Sequence, residues 1–164
     1  FIALKEVTKK IKQTKLILAG EGSQLKEYKN LVVSLGLTEH VEFKGWLDAR
    51  EIQNLTTQSD LGLFPSRIES FGLSVIEAMA AGLPVIAANG GAVPENIKDG
   101  VTGTLIPVHD SNALAKAIIS ALENPKYIRN LAETAKKQVR EKFSWDKTAD
   151  SMIDIYTSVL RDSA

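Results

Sequence analysis

The sequence predicts an α/β domain with a Rossmann-like parallel sheet and helices on both faces. Two observations carry this. Short, nearly continuous apolar runs alternate with longer stretches of helical periodicity, and strands apolar on both sides belong to parallel sheets covered on both faces. Glycine, proline and helix-capping residues fall at the junctions between these segments, where turns and helix ends need them.

Ile2, Leu4, Val7 and Ile11 recur at helical spacing, so a helix is expected from Phe1 to about Lys12. Leu16-Ile17-Leu18-Ala19 is a short strand closed by Gly20-Glu21-Gly22, and Ser23 is a candidate cap for a helix that runs to Leu35 and ends at Gly36. Val41-Glu42-Phe43 is the next strand, and Asp48 is placed to cap a helix over 49–57. Leu61 to Phe64 forms a strand before Pro65, a helix follows over 71–81, and Val85-Ile86-Ala87-Ala88 is a buried strand. Thr104-Leu105-Ile106 is the last strand, and three helices finish the chain over 111–122, 125–141 and 145–161. Pro125 separates the first two and Ser144 caps the last.

At 164 residues the chain has the length of one domain with a real core. Twenty basic and twenty acidic side chains balance to zero net charge, which argues against a dedicated nucleic-acid binder. The basic clusters at Lys9, Lys10, Lys12 and Lys15 and at Lys136, Lys137, Arg140 and Lys142 read first as solvated helix faces, and second as peripheral contact with anionic lipid. The absence of cysteine excludes a disulfide framework and thiolate metal sites. No stretch reaches the roughly 20 apolar residues of a membrane span, and no signal peptide is visible. His40 and His109 stand apart from any metal-ligand spacing, and no metal is expected. The start at Phe1, without Met, reads as an internal fragment.

Ligands of parallel α/β sheets bind beyond the C-terminal ends of the strands. Gly20-Glu21-Gly22, Gly45-Trp46, Pro65 to Gly72 and Asn89-Gly90-Gly91 each follow a strand, so topology alone gathers them at one edge. Among them, Pro65 to Ile86 carries the most chemistry. Glu69 precedes a helix start rich in small residues, seven residues separate it from Glu77, and Gly82 ends the helix. Unpaired N–H groups and the helix dipole make such a start an anion site. With a helix beginning near Ser70, Glu77 lies about 11 Å along it. An extended ligand with an anion in its middle and hydroxyls at both ends, such as a nucleotide-diphosphate sugar, has that shape.

This segment resembles the retaining glycosyltransferases of GT-B fold whose hallmark is glutamate, seven residues, glutamate. Pro65-Ser66, Glu69, Phe71-Gly72-Leu73, Glu77-Ala78-Met79-Ala80 and Gly82-Leu83-Pro84-Val85 fit the pattern. Gly90-Gly91, Pro94-Glu95 and Asp99-Gly100-Val101-Thr102-Gly103 follow in order, and Ala19 to Gly22 and Val41 to Gly45 fit before it. The spacing of the glutamates alone would carry no weight; the set spans nearly the whole chain.

The resemblance implies that residues 1–164 are the nucleotide-sugar-binding, C-terminal half of a two-domain cytosolic enzyme. Peripheral contact with the inner face of the membrane, through the full-length protein, is a further reading. It implies a UDP-, GDP- or ADP-sugar as substrate and no cofactor. Glu69 is then the catalytic carboxylate, hydrogen-bonding donor-sugar hydroxyls and stabilising positive charge at the anomeric carbon. Glu77 accepts from the ribose hydroxyls, for which its two oxygens suit a vicinal diol. Phe71, Gly72 and Leu73 offer backbone N–H groups, with Ser70 a donor contact or simply a helix cap. Gly20 and Gly22 approach the nucleotide or form a plain turn, Trp46 lines a base pocket or packs at a boundary, and Arg67 faces the diphosphate or solvent. Glu95 decorates a short helix, and the terminal helix, from Trp145, leans onto the N-terminal domain.

In the family a strand and a glycine-containing loop precede the first helix and bring an arginine and a lysine to the diphosphate. In the common strand order 3-2-1-4-5-6 that strand is central. The sheet of residues 1–164 is therefore expected to be gapped, or completed from outside, and these residues alone are not expected to transfer sugar. Two other readings remain open at this point: a GT-B nucleotide-sugar epimerase and a non-catalytic nucleotide-sugar-binding module.

Overall fold

The structure, a computed structural model, describes residues 1–162. The chain runs α1 (Ile2–Lys10), β1 (Leu16–Ala19), α2 (Leu25–Ser34), a 3₁₀ turn (Thr38–His40), β2 (Val41–Gly45), α3 (Ala49–Gln58) and β3 (Gly62–Phe64). It continues through α4 (Leu73–Ala81), β4 (Val85–Ala88), α5 (Val93–Asn96), β5 (Thr104–Ile106), α6 (Ser111–Glu123), α7 (Pro125–Lys142) and α8 (Trp145–Asp162). Every expected element is present; α5 is a single turn that contains the Pro94-Glu95 pair.

All strand pairs are parallel. β1 pairs with β2, aligning Leu16 with Val41 and Leu18 with Phe43, with a register shift at Leu18/Ala19. β3-β4-β5 form a second ladder, Leu63 opposite Ile86 and Ala87 opposite Leu105. The strands thus lie in two pieces, β1-β2 and β3-β4-β5, with no strand pairing between them among the described residues.

β4 explains the main core. All four of its residues are buried, and alternate side chains serve opposite faces of the sheet. Val85 and Ala87 pack with Val75, Ile76 and Met79 of α4, Val93 of α5, and Ala135 and Val139 of α7. Ile86 joins Ile106, Ala3 and Val7 of α1, and Ala115 and Ile118 of α6. Helices therefore cover both faces of the β3-β4-β5 piece.

The β1-β2 piece departs from the expected pattern. Leu16 and Leu18 are half-buried while Ile17 and Ala19 are exposed, and β2 alternates in the same way. Its covered face meets Leu4 of α1, Val32 of α2 and Leu37. An apolar run in sequence is here a one-sided strand, because helices cover a single face.

Helix α1 joins the two pieces. Leu4 packs in the β1-β2 core and Val7 in the β4-α6 core, so one short helix contributes to both. Along α8, Trp145, Ile153, Ile155, Tyr156 and Leu160 are exposed. No helix among the described residues is long and apolar enough to cross a membrane.

Two helix starts differ from expectation. Ser23 does not cap α2: the helix begins at Leu25 behind Gln24, with no side-chain cap bond. Ser70 does not cap α4, which begins at Leu73 behind Gly72. In both places the chain makes a turn before it enters the helix.

Candidate functional site

The site is built on the turn between β3 and α4. Gly72 sits in the left-handed region, φ 84° and ψ 40°, and serves as the N-cap. L-residues with a side chain rarely adopt that conformation, so glycine here sets where α4 starts. No side chain caps the helix and its first turn carries no acidic residue. The first N–H groups of a helix have no partner within it, so this uncapped, positive end is open to an anion.

The later start also moves Glu77. It is four residues from Leu73, about 6 Å along the helix axis rather than 11 Å. Val75, Ile76, Ala78 and Met79 are buried, and Glu77 is exposed on the opposite face of α4. Glu69 lies before the helix, half-buried, with its Cγ 3.5 Å from where a Cβ on Gly72 would stand. The two carboxylates therefore flank the uncapped helix end from different elements.

Neighbouring loops hold this turn. The Ala92 N–H donates to the Glu69 carbonyl at 2.8 Å. The Asn96 carboxamide donates to the Phe71 carbonyl at 2.5 Å. The Phe71 ring is 50% exposed and meets Phe143 edge-on, with centroids 5.9 Å apart. A Cβ on Gly90 would come within 2.5 Å of the Arg67 carbonyl, and one on Gly91 within 2.2 Å of the Glu69 carbonyl. The loops after β3 and β4 are thus in backbone contact, as the topology required.

Arg67, Ser70 and Leu73 are exposed around this turn, as is Ile68. A second cluster forms beyond β1 and β2. The Gly20 N–H donates to the Gly45 carbonyl at 2.7 Å, and Glu21 Oε1 is 3.6 Å from a Cβ placed on Gly45. Gly22 is exposed beside it, and Trp46 is 70% exposed. Among the described residues no hydrogen bond or ion pair joins this cluster to the Glu69 turn.

Residues outside this edge have structural partners. His40 Nδ1 is 2.9 Å from the Thr14 carbonyl, and His109 lies in the turn before Asp110, which caps α6. Glu95 is in the first turn of α5 and its carbonyl accepts from Lys142 Nζ at 3.1 Å. An open cavity of about 470 Å³ at the ends of β4 and β5 is lined by Asn89, Asp99 and residues 105–108; Asn89 belongs to an expected edge segment, but none of the residues expected to contact the donor lines it.

Sequence reasoning missed Asn96. It is a carboxamide in a buried position between Val93 and Ile97. In sequence it stands in a mixed stretch between Glu95 and Ile97, and nothing there points to a partner 25 residues away.

Comparison with known proteins fits this arrangement. Residues 2–138 match the family described as glycosyl transferases group 1. The N-acetyl-alpha-D-glucosaminyl L-malate synthase of Bacillus anthracis is 38% identical over 148 residues, 90% of this chain and 38% of that protein. The crystal structure of Anabaena HepE in complex with UDP-glucose superposes with a TM-score of 0.86 at 28% identity, over 96% of this chain and 44% of that one. The C-terminal domain of LpcC, a glycosyl transferase group 1 family protein from Francisella tularensis, gives 0.77 at 27% identity, over 88% of this chain and 79% of that one. The chain spans about two-fifths of the full-length proteins among these, 38% and 44%. By the match over most of its length and by its fold, the chain belongs to the glycosyl transferases group 1.

Proposed function

We propose that this chain is the donor domain of a retaining glycosyltransferase, binding a nucleotide-diphosphate sugar for transfer to an acceptor hydroxyl. The observation that carries the reading is the uncapped start of α4 at Gly72, flanked by Glu69 and Glu77. The amides of the first turn receive the diphosphate. Glu77, on the solvent face of α4, accepts from the ribose diol. Glu69 meets the sugar and stabilises positive charge at its anomeric carbon. Gly20, Gly22 and Trp46, at the ends of β1 and β2, take the nucleoside, and Arg67 adds charge near the diphosphate.

In the reaction the acceptor oxygen bonds to the anomeric carbon while the bond from that carbon to the diphosphate breaks. The electron pair leaves with the diphosphate, which takes up the acceptor's proton. Helix amides offset the charge that develops on the leaving group. No metal enters this scheme.

The acceptor site belongs to a further, N-terminal domain of the same protein, for which the apolar residues along α8 are a contact surface. A strand from that longer protein joins the two ladders, lying between β1 and β3 as the strand order 3-2-1-4-5-6 would have it. The support for this is that the strands form two separate parallel ladders, whose unpaired edges carry N–H and C=O groups that an added strand would pair.

The test uses the full-length protein with UDP-, GDP- and ADP-sugars and a panel of hydroxyl acceptors, with anomeric configuration read by NMR. Transfer with retention from one of these donors is expected. Transfer with inversion would overturn the retaining assignment. Epimerised sugar nucleotide without an acceptor would replace transfer by isomerisation.

A further inference from the structure

Residues 91–96 form the bed on which the Glu69 turn lies. Gly91 packs so closely against Glu69 that a Cβ there would come within 2.7 Å of the Glu69 nitrogen and 2.2 Å of its carbonyl oxygen. The next residue, Ala92, donates to that same oxygen at 2.8 Å. Asn96 then reaches two residues further along the turn, to the Phe71 carbonyl. One short segment, with Val93 and Asn96 buried, therefore grips the turn on both sides of Ser70.

Asn96 is the polar member of that segment. It is 4% exposed, between Val93 and Ile97 at 1% each. A carboxamide in such a position costs free energy unless it is hydrogen-bonded, whereas an apolar residue of similar volume would not. Its bond goes to the carbonyl immediately before Gly72, the residue that starts α4. The Asn96 Nδ2 and the Glu69 Cγ stand 3.6 Å and 3.5 Å from the same Cβ position on Gly72. The carboxamide and the stem of the glutamate thus both border Gly72.

The segment is in turn anchored to α7. Gln138 Nε2 donates to the Asn96 carbonyl at 3.3 Å, and Lys142 Nζ to the Glu95 carbonyl at 3.1 Å. Phe143, at the end of α7, meets Phe71 edge-on. The grip on the turn is fixed from behind by a helix of the core.

From this geometry we infer that Asn96 is a positioning residue for Glu69, acting with Gly91, and that it touches neither donor nor acceptor. The inference rests on the reading of Glu69 as the catalytic carboxylate. Ser70, Phe71 and Leu73 are exposed, so apart from the contact of Phe71 with Phe143 their side chains add little to hold the turn. A carboxylate that must meet charge at one carbon tolerates little displacement: a shift of about 1 Å costs on the order of 100-fold in rate. Ground-state nucleotide binding through Glu77 and the α4 amides depends less on the placement of Glu69.

The experiment compares Asn96→Leu, Glu69→Gln and the double variant in the full-length enzyme. Asn96→Leu keeps the branched four-heavy-atom side chain, though with bulkier methyl groups, and removes the donor. It is expected to lower kcat by about 10- to 100-fold while the Kd for nucleoside diphosphate, measured by calorimetry, changes less than about threefold. In the Glu69→Gln background it should produce no further loss, because its effect passes through Glu69. Gly91→Ala, which must displace the Glu69 carbonyl, should give the same separation of kcat from Kd; it serves as the second variant if Asn96→Leu does not fold. A folded Asn96→Leu with unchanged kcat would overturn the inference. So would losses that multiply in the double variant, or a parallel loss of nucleotide affinity. If Glu69→Gln alone keeps full kcat, the reading of Glu69 itself fails, whereas a crippled Glu69→Gln beside an intact Asn96→Leu removes only the role of Asn96.

Discussion

Asp48 and Glu51 cap α3 reciprocally. The Glu51 N–H donates to Asp48 Oδ1 at 2.8 Å, and the Asp48 N–H donates to Glu51 Oε2 at 2.8 Å. Two orphan donors at the helix start are satisfied by one pair of carboxylates. The arrangement matters because α3 contains no buried residue. A helix with little packing depends more on its ends.

Asp48→Ala should therefore cost about 1 kcal/mol of stability, read as a lower denaturation midpoint at unchanged m-value. Nucleotide affinity should stay the same. A change in affinity would mean that α3 holds Trp46, two residues before the cap, in place.

Glu77→Ala removes an exposed side chain from α4. Stability should change by less than about 0.5 kcal/mol. Nucleoside-diphosphate binding should weaken by roughly 1.5–3 kcal/mol, as for a hydrogen bond to a charged group. Calorimetry on the full-length protein separates the two, and unaltered affinity would remove Glu77 from the donor site.

Glu69→Ala should lower kcat more than it raises KM, because its charge acts where positive charge develops. Steady-state kinetics over a range of donor concentrations decide this. A raised KM at full kcat would make Glu69 a plain binding residue.

Leu4→Ala tests how the two strand ladders are held together. Leu4 is buried in the β1-β2 core, and such truncations cost about 2–5 kcal/mol. Because α1 contributes separately to each core, the loss should appear unevenly. Hydrogen exchange is expected to speed up more at β2 amides than at β4 amides. Equal acceleration of both would show that the two pieces open as one unit.

Much of this protein was legible in its sequence because the relevant forces are local. β4 is recognisable from four consecutive apolar residues, the α3 cap from Asp48, and the end of α4 from Gly82. The order of strands and loops was enough to place Gly90-Gly91 beside the Glu69 turn. Short-range periodicity and capping chemistry act within a few residues and need no partner from elsewhere.

What tertiary structure decided lies at longer range. Ser70 has the chemistry of a helix cap, yet α4 starts at Leu73. Ala92 and Asn96 bond the turn at Glu69 and Phe71, and Gly91 leaves room for its backbone. Those partners are some 20 to 25 residues away in the chain, so no local preference of Ser70 could reveal them. β1 likewise reads as a two-sided buried strand, but Ile17 is exposed because helices cover one face of its ladder. Hydrogen bonds and burial across the fold overrode local propensity at both places, since whether a cap forms or an apolar side chain is covered depends on which distant residues arrive beside it.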